Sequence, residues 1–236
     1  MTQLFIAFDR LRCELDKTLS DIENLSESGK PFGIKFNLDA MLNPDISLSK
    51  LLWLLKRFNR QLFPDLKMWN GSRTMESVVK TFVDLGVDFM NVWAMADKEM
   101  VKAVKATEGS NTKVLGLTVL SHYGDDHCQK WYRRSLIGAV ADFSRYAIEA
   151  GCHGIIVPGN TLSIVRHLPV MKMATGVRPE WYKDDRHQQE ATPAEVAGGG
   201  ANFVVCGSPI LEQRTKEDRI LALHKVLHEM ENAKTK

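Results

Sequence analysis

Short apolar runs rich in β-branched and aromatic residues alternate along the chain with longer segments in which apolar residues recur with helical period. Residues 48–58 and 75–85 are two of these amphipathic segments. The predicted strands are 4–8, 33–36, 62–66, 88–92, 114–118, 154–157, 170–174 and 202–206. Regular alternation predicts a parallel sheet, and eight repeats within 236 residues predict an α/β fold, the (β/α)8 TIM barrel. We therefore expect residues 1–236 to form a single domain.

Composition narrows the classes of partner. The formal net charge is +2 and no block of Lys or Arg stands out, so the chain lacks the electrostatic pattern of a protein that binds nucleic acid or a membrane surface. No apolar stretch approaches the ~20 residues of a membrane helix. The four cysteines show no metal-ligand spacing and the first residues show no secretory signal, so we expect a reduced, cytoplasmic protein. A small-molecule ligand is the remaining expectation.

One acid and two amines stand at the ends of neighbouring predicted strands. Asp65 and Lys67 close the third strand, and Lys35 closes the second. Residues i and i+2 of an extended strand share a face, so Asp65 and Lys67 are expected to point into one cavity. Because the active sites of (β/α)8 barrels gather at the carboxyl ends of the strands, we predict that the three side chains form a charged cluster there.

Other candidate ligand-binding residues follow the remaining strands. They are Asp9, Asn91, Trp93 and the residues at 118–122, 158–160 and 175–178. Gly176 follows the seventh strand and Gly207-Ser208 follows the eighth. Barrels often hold phosphate on free backbone NH groups after these two strands, so the pattern predicts a phosphorylated ligand, although glycines here also serve as turn residues. The seven histidines show no zinc-ligand pattern, and no metal site is predicted.

Eight sequence blocks occur in order along nearly the whole chain. They are IAFD at 6–9, GIK at 33–35, FPDLKMWN at 63–70, DLGVDFMNV at 84–92, LTVLSH at 117–122, ATGVRP at 174–179, TPAE at 192–195 and VVCGSPI at 204–210. Together these blocks resemble the orotidine 5'-phosphate decarboxylase family in content and in order. The resemblance covers every predicted strand except the sixth, and it implies the same barrel that the periodicity predicts.

The resemblance also implies an activity. Members of the family are homodimers that convert orotidine 5'-monophosphate to uridine 5'-monophosphate and CO2, in pyrimidine biosynthesis, without a metal or an organic cofactor. Their charged array alternates lysine and aspartate, and Lys35, Asp65 and Lys67 match its first three members. In the family's mechanism the lysine matched by Lys67 protonates the carbon that loses CO2, and the aspartate matched by Asp65 lies against the substrate carboxylate.

The resemblance extends to the rest of the ligand. Asp9 matches the residue that holds the ribose hydroxyls, and Thr118 and Ser121 fall in the segment that meets the pyrimidine, where hydroxyls both donate and accept hydrogen bonds. The glycine and serine of the last block, Gly207 and Ser208, match the segment that binds the phosphate. A nucleotide is therefore the expected ligand.

Two positions depart from the family pattern. Asn70 stands at the fourth member of the array, an aspartate contributed across the dimer interface in the family, so a negative charge is lost. Ser208 stands where the family has an arginine that grips the phosphate, and the loss of a charge-assisted hydrogen bond costs about 1.5–3 kcal/mol. The candidates to replace that arginine follow the seventh strand: Arg178, Arg186, His187 and Gln188.

Two other functions are compatible with these residues. A sugar-phosphate decarboxylase of the 3-keto-gulonate 6-phosphate type, in the same superfamily, also uses an Asp-x-Lys pattern but has a metal-binding acid nearby, so dependence on Mg²⁺ would favour it. A barrel that binds a ligand without catalysis is the other alternative, motivated by Asn70 and Ser208, because a fold does not by itself determine a chemistry.

Overall fold

The computed structural model describes residues 2–182 and 190–233, so the candidates Arg186, His187 and Gln188 lie outside the described residues. The strands of the described part are β1 (Gln3–Ala7), β2 (Gly33–Asn37), β3 (Leu62–Asp65), β4 (Phe89–Trp93), β5 (Lys113–Leu117), β6 (Gly154–Pro158), β7 (Met171–Thr175) and β8 (Phe203–Cys206). Each strand lies within one residue of its predicted bounds. The predicted series of strands is confirmed.

The strands form one parallel sheet in the order β3-β2-β1-β8-β7-β6-β5-β4. The two end strands, β3 and β4, also meet, through a parallel bridge between Met68 and Val92 and a hydrogen bond from Trp93 N to Met68 O of 2.8 Å. We call this junction the β3–β4 seam. It closes the sheet into the predicted (β/α)8 barrel.

Helices cover the outside of the barrel. The described helices are α1 (Leu15–Glu27), α2 (Leu48–Lys56), α3 (Ser72–Asp84), α4 (Met100–Lys105), α5 (Asp125–Tyr132), α6 (Leu136–Glu149), α7 (Leu162–Val165), α8 (Pro193–Gly198), α9 (Ser208–Leu211) and α10 (Lys216–Glu231). The amphipathic segments 48–58 and 75–85 correspond to α2 and α3. Thr192 caps the amino end of α8 with a capping box, in which the side chains of Thr192 and Glu195 each accept from the other's backbone N–H. No described helix combines the length and apolar character that a bilayer crossing requires.

The barrel interior is filled from its amino-terminal side by four phenylalanines. Phe5, Phe63, Phe89 and Phe203 contact one another edge to face, with ring centroids 4.9–6.5 Å apart. Aromatic pairs favour this geometry, because the positive ring edge meets the negative ring face. Gly33 leaves room for the Phe5 ring, since an added Cβ would lie 2.3 Å from it. The layer fills the lower part of the barrel, and an interior cavity lies above it, at the carboxyl ends of the strands.

Candidate active site

A cavity of ≈ 440 Å³ opens at the carboxyl ends of the strands. Inward-facing apolar side chains form its floor: Phe63, Leu117, Ile156 and Val205. Polar side chains form its walls: Asp9, Lys35, Asn37, Asp65, Lys67, Asn91, Ser121, His122, Thr175, Arg178 and Ser208. Small-molecule pockets usually measure about 300–1,000 Å³ and combine an apolar lining with a few polar groups, which matches this cavity.

Four charged side chains form a row of alternating sign on one wall. Lys35 Nζ lies 3.1 Å from Asp9 Oδ1 and 2.9 Å from Asp65 Oδ2. Lys67 Nζ lies 2.7 Å from the same Asp65 oxygen. Asn37 Oδ1 accepts a third hydrogen bond from Lys35 Nζ at 2.7 Å, so each proton of that ammonium has an acceptor. Since β1, β2 and β3 are neighbours in the barrel, their ends meet, and the predicted charged cluster is confirmed.

The two central members of the row, Lys35 and Asp65, are buried, and each shifts the pKa of the other. The side chains of Lys35 and Asp65 are only 8% and 11% exposed. Burial alone raises the pKa of the Asp65 carboxyl, but the ammonium groups of Lys35 and Lys67 outweigh it and hold that pKa well below its usual range. Burial alone lowers the pKa of Lys35, but the carboxylates of Asp65 and Asp9 outweigh it and leave that pKa raised. The buried pair is therefore ionised at neutral pH.

Lys67 has an unusual backbone conformation. Strand β3 ends at Asp65. Leu66 N then donates a hydrogen bond to Pro64 O at 3.2 Å, and Lys67 adopts the left-handed backbone conformation with φ 50°. The expectation that Asp65 and Lys67 share one face of an extended strand is therefore wrong, although the two side chains do meet. A non-glycine residue in this region costs about 1 kcal/mol or more and is held there by its surroundings. Asn91 provides that hold, because its Oδ1 accepts from Lys67 N at 2.7 Å.

The part of the cavity that follows β7 and β8 combines a cation with backbone N–H groups. Arg178 and Ser208 both line it, together with Gly176 and Gly207. Gly176 has φ 69°, which favours glycine, and a Cβ on Gly207 would lie 3.0 Å from Ala7 O. Arg178 N, shortly after β7, donates a hydrogen bond to Ala191 O, shortly before α8, at 2.9 Å. This end of the cavity suits an anionic group.

The family model of the orotidine 5'-phosphate decarboxylase / HUMPS family matches residues 2–222. The chain belongs to this family. The expected resemblance is thereby confirmed over most of the chain.

Several relatives share the name orotidine 5'-phosphate decarboxylase. The protein from Caulobacter sp. (strain K31) is 31% identical over 200 residues, which cover 83% of this chain and 84% of that protein. The protein from Streptococcus pneumoniae serotype 19F (strain G54) is 27% identical over 180 residues, covering 74% and 76%. Among solved structures, the orotidine 5'-phosphate decarboxylase from Lactobacillus acidophilus aligns with a TM-score of 0.78 at 21% identity, covering 98% of this chain and 99% of that one. The structural likeness supports the (β/α)8 barrel.

The two departures from the orotidine 5'-phosphate decarboxylase pattern lie in different surroundings. Ser208 lines the cavity as the first residue of α9, and Arg178 lines the same cavity. Asn70 does not line it: its side chain is exposed, and its Oδ1 accepts from Gly71 N at 2.8 Å. Within one chain, therefore, the position that carries the fourth charge of the family array is not part of the row. Asn70 lies on the rim next to Trp69, which is 61% exposed.

The segment expected to meet a pyrimidine places one of its two assigned residues, Ser121, in the cavity. Ser121 lines the cavity as predicted. Thr118 does not: it is fully buried, and its hydroxyl donates to Ile156 O at 2.8 Å, because it faces the neighbouring strand β6. His122, within the candidate range 118–122, also lines the cavity. Burial lowers the pKa of His122, and nearby His127 and Lys67 lower it further. A neutral imidazole can both donate and accept a hydrogen bond.

Two asparagines support the charged row: Asn37, which was not singled out from the sequence, and Asn91, which was named from it only as a candidate ligand-binding residue. Asn37 binds Lys35, and Asn91 binds both Lys67 N and, at 2.6 Å, Asp65 Oδ1. The signal was present in the alternation of the strands, because each asparagine occupies an inward-facing position two residues from another inward-facing residue. No group of three or more His, Cys, Asp or Glu side chains within the described ranges is arranged to hold a metal ion.

Proposed function

We propose that this protein converts orotidine 5'-monophosphate to uridine 5'-monophosphate and CO2 without a metal or organic cofactor, with Lys67 as the proton donor. Membership of the family makes the chain a carboxy-lyase, and the reaction belongs to pyrimidine biosynthesis. The observation that carries the proposal is the row Asp9, Lys35, Asp65 and Lys67, whose opposite charges lie within 3.1 Å of one another on the cavity wall. All four cysteines carry free thiols, which supports a reducing, cytoplasmic location.

The proposed substrate spans the cavity from the anion-binding end to the charged row. Its phosphate lies against Arg178 and the NH groups of Gly207 and Ser208, and its ribose hydroxyls lie against Asp9 and Lys35. The pyrimidine edge meets Ser121 and His122, and the carboxylate to be lost faces Asp65. The order of the lining residues around the barrel supports this arrangement, because Arg178, Gly207 and Ser208 follow β7 and β8, and the charged row continues from Asp9 after the neighbouring strand β1.

The chemistry requires one bond to break and one to form. The bond between the ring carbon and the carboxylate breaks, and its electron pair stays on the ring carbon as CO2 leaves. The ammonium of Lys67 then transfers a proton to that carbon, and the neutral amine recovers a proton from solvent. An ammonium already fixed beside the carbanion-like centre stabilises the transition state more than the ground state. Asp65 fixes it, at 2.7 Å.

The deciding experiment is the loss of orotate absorbance when purified protein is mixed with orotidine 5'-monophosphate, with and without EDTA. Turnover that EDTA does not change supports the proposal. Turnover only with Mg²⁺, and on 3-keto-gulonate 6-phosphate rather than the nucleotide, would move the protein to the sugar-phosphate decarboxylases of the superfamily. Binding of uridine 5'-monophosphate without any turnover would instead identify a ligand-binding barrel.

Replacing Arg178 with Met is expected to weaken binding of uridine 5'-monophosphate about tenfold to a hundredfold, because a charge-assisted hydrogen bond contributes about 1.5–3 kcal/mol. Binding of uridine, which has no phosphate, should change little. Calorimetric titration with both ligands gives the ratio. Arg145→Met on the outer helix α6 is the matched control, since Arg145 pairs there with Glu149. Equal weakening for both ligands would show that Arg178 does not bind the phosphate.

We propose further that the protein is a homodimer joined through the rim after β2 and β3. Leu38, Leu42 and Trp69 are 50%, 64% and 61% exposed on the segments that follow these two strands, and Asn70 follows Trp69. A second copy that covers this surface brings Asn70 close to its partner's cavity. Sedimentation velocity should detect a dimer, and the double variant Leu42→Asp/Trp69→Asp should sediment as a monomer with reduced turnover. Trp53→Asp, on helix α2, should remain dimeric; an unchanged dimer in the double variant would contradict the interface.

A further inference from the structure

Side chains join the β3–β4 seam at both of its ends. Toward the amino ends of the strands, Asp88 Oδ2 accepts a hydrogen bond from Leu62 N at 2.8 Å. Toward the carboxyl ends, Asn91 Oδ1 accepts one from Lys67 N at 2.7 Å. Pro64, between these points, has no N–H to offer to a neighbouring strand. Lys67 therefore enters the cavity at the β3–β4 seam. Its backbone N–H is bound by the Asn91 side chain and not by a continuous series of strand-to-strand hydrogen bonds.

Asn91 contacts two members of the charged row at once. Its Nδ2 donates to Asp65 Oδ1 at 2.6 Å, while its Oδ1 accepts from Lys67 N. The amide orientation follows from chemistry, because the reverse assignment would set two oxygens against each other and two N–H groups against each other. The second Asp65 oxygen accepts from both lysines. Every hydrogen bond that orients the Asp65 carboxylate and the Lys67 backbone therefore has a defined direction.

We propose that Asn91 is the positioning residue for the proton donor. It holds the left-handed turn at Lys67 and the rotation of the Asp65 carboxylate, and together these aim the Lys67 ammonium at the reacting carbon. The inference rests on the proposed function. Asn91 is 1% exposed, so water does not replace its bonds readily, whereas the Lys67 side chain is 34% exposed and needs such support to occupy one position.

The first test is Asn91→Leu, which keeps the side-chain size and removes both hydrogen bonds. We expect kcat to fall about a hundredfold, because displacing a reacting group by about 1 Å costs about that much. Affinity for uridine 5'-monophosphate should remain near the wild-type value, since the groups at the phosphate end are untouched. An unchanged kcat would overturn the inference.

Asn91→Asp separates the two contacts. A carboxylate still accepts from Lys67 N, so the turn is retained, but it faces the Asp65 carboxylate without a proton to donate. Two adjacent carboxylates raise the pKa of one of them. The charged and titratable groups around that pair are Asp9 after β1, Lys35 on β2, Lys67 after β3 and His122 after β5. The acid limb of the kcat/KM profile should move to higher pH; an unmoved limb would contradict the contact with Asp65.

Asp88→Ala is the matched control, because Asp88 bridges the same two strands at the opposite end. Asp88→Ala should lower the temperature midpoint of unfolding and leave kcat unchanged. A hundredfold loss of kcat in Asp88→Ala would show that Asn91 only stabilises the β3–β4 seam and does not position Lys67. Hydrogen exchange of the Lys67 amide is measured on the same proteins. Faster exchange in Asn91→Leu than in the wild type and in Asp88→Ala supports the hold of Asn91 on the Lys67 turn, even if the wild type fails to decarboxylate the nucleotide. Equal exchange in the wild type, Asn91→Leu and Asp88→Ala overturns it.

Discussion

Replacing Lys67 with Met is expected to lower kcat/KM for orotidine 5'-monophosphate by about four orders of magnitude, the scale on which a reacting side chain contributes. The methionine side chain is similar in length and unbranched, so it can occupy the same backbone conformation without carrying a proton. The electron pair left on the ring carbon then has no ammonium nearby to stabilise it or to protonate it. Loss of orotate absorbance under kcat/KM conditions measures the effect directly.

The control for this result is Lys80→Met. Lys80 also pairs with a carboxylate, Glu76 at 2.6 Å, but on the exposed face of α3. Its replacement removes the same charge from the chain and should leave turnover unchanged. Circular dichroism of both variants establishes that each is folded. Turnover in Lys67→Met within tenfold of the wild type would show that Lys67 is not the proton donor. Lys35, the other ammonium of the row, would then be the candidate.

Replacing Asp65 with Asn is expected to lower the free energy of unfolding by about 3 kcal/mol, as removal of one partner from a buried ion pair typically does. Asp65 Oδ2 is the common acceptor of Lys35 and Lys67. Without the carboxylate, the buried Lys35 ammonium keeps, among the residues that the structure describes, Asp9 as its one ionic partner, and the Asp9 side chain is 53% exposed. The two ammonium groups also repel each other across the amide. Urea unfolding at neutral pH measures the difference.

The pH dependence of that difference follows from the pKa shifts. The folded pKa of Asp65 lies below its unfolded value of 3.8, so its contribution to stability is present above that pH and is lost as the pH falls below it. The folded pKa of Lys35 lies above its unfolded value of 10.5, so its contribution is present below that pH and is lost as the pH rises. The gap between wild type and Asp65→Asn should therefore persist between these two values and shrink toward acid.

Glu76→Gln is the matched control for stability, because it breaks an ion pair of similar length on the surface. Exposed pairs contribute little to stability and are screened by salt, so this variant should unfold close to the wild type. A stability of Asp65→Asn equal to that of Glu76→Gln would mean that water reaches Lys35 and replaces the lost carboxylate. The row would then be a solvated cluster rather than a buried one.

Hydrophobic periodicity was sufficient for the fold. Each predicted strand lies within one residue of the observed one, because both faces of a barrel strand are buried and the apolar run is therefore continuous. The charged cluster was also predictable, since parallel strands bring their carboxyl ends together whatever their sequence. Lys35 and Asp65 meet for that reason, although they are thirty positions apart in the chain.

The sequence was a poorer guide to which side chains line the cavity, because that depends on contacts with neighbouring strands. Thr118 follows an apolar strand as Ser121 does, yet its hydroxyl bonds to Ile156 O and only Ser121 lines the cavity. Asn70, three residues after Lys67, lies outside the cavity because the chain turns onto the rim before α3 begins. Spacing along the chain does not distinguish these cases, since each is decided by which partner a side chain meets.

By itself, the amino-acid sequence determined the barrel, the family and the identity of the charged row, because these follow from local periodicity and from motifs within single segments. The tertiary structure alone decided how Lys67 enters the cavity. Its left-handed turn is stabilised by Asn91, which lies on a different strand twenty-four residues away. The conformation of a short segment without its own regular hydrogen bonds depends on the partners that the closed barrel brings to it, and those partners are set by the register of β3 against β4.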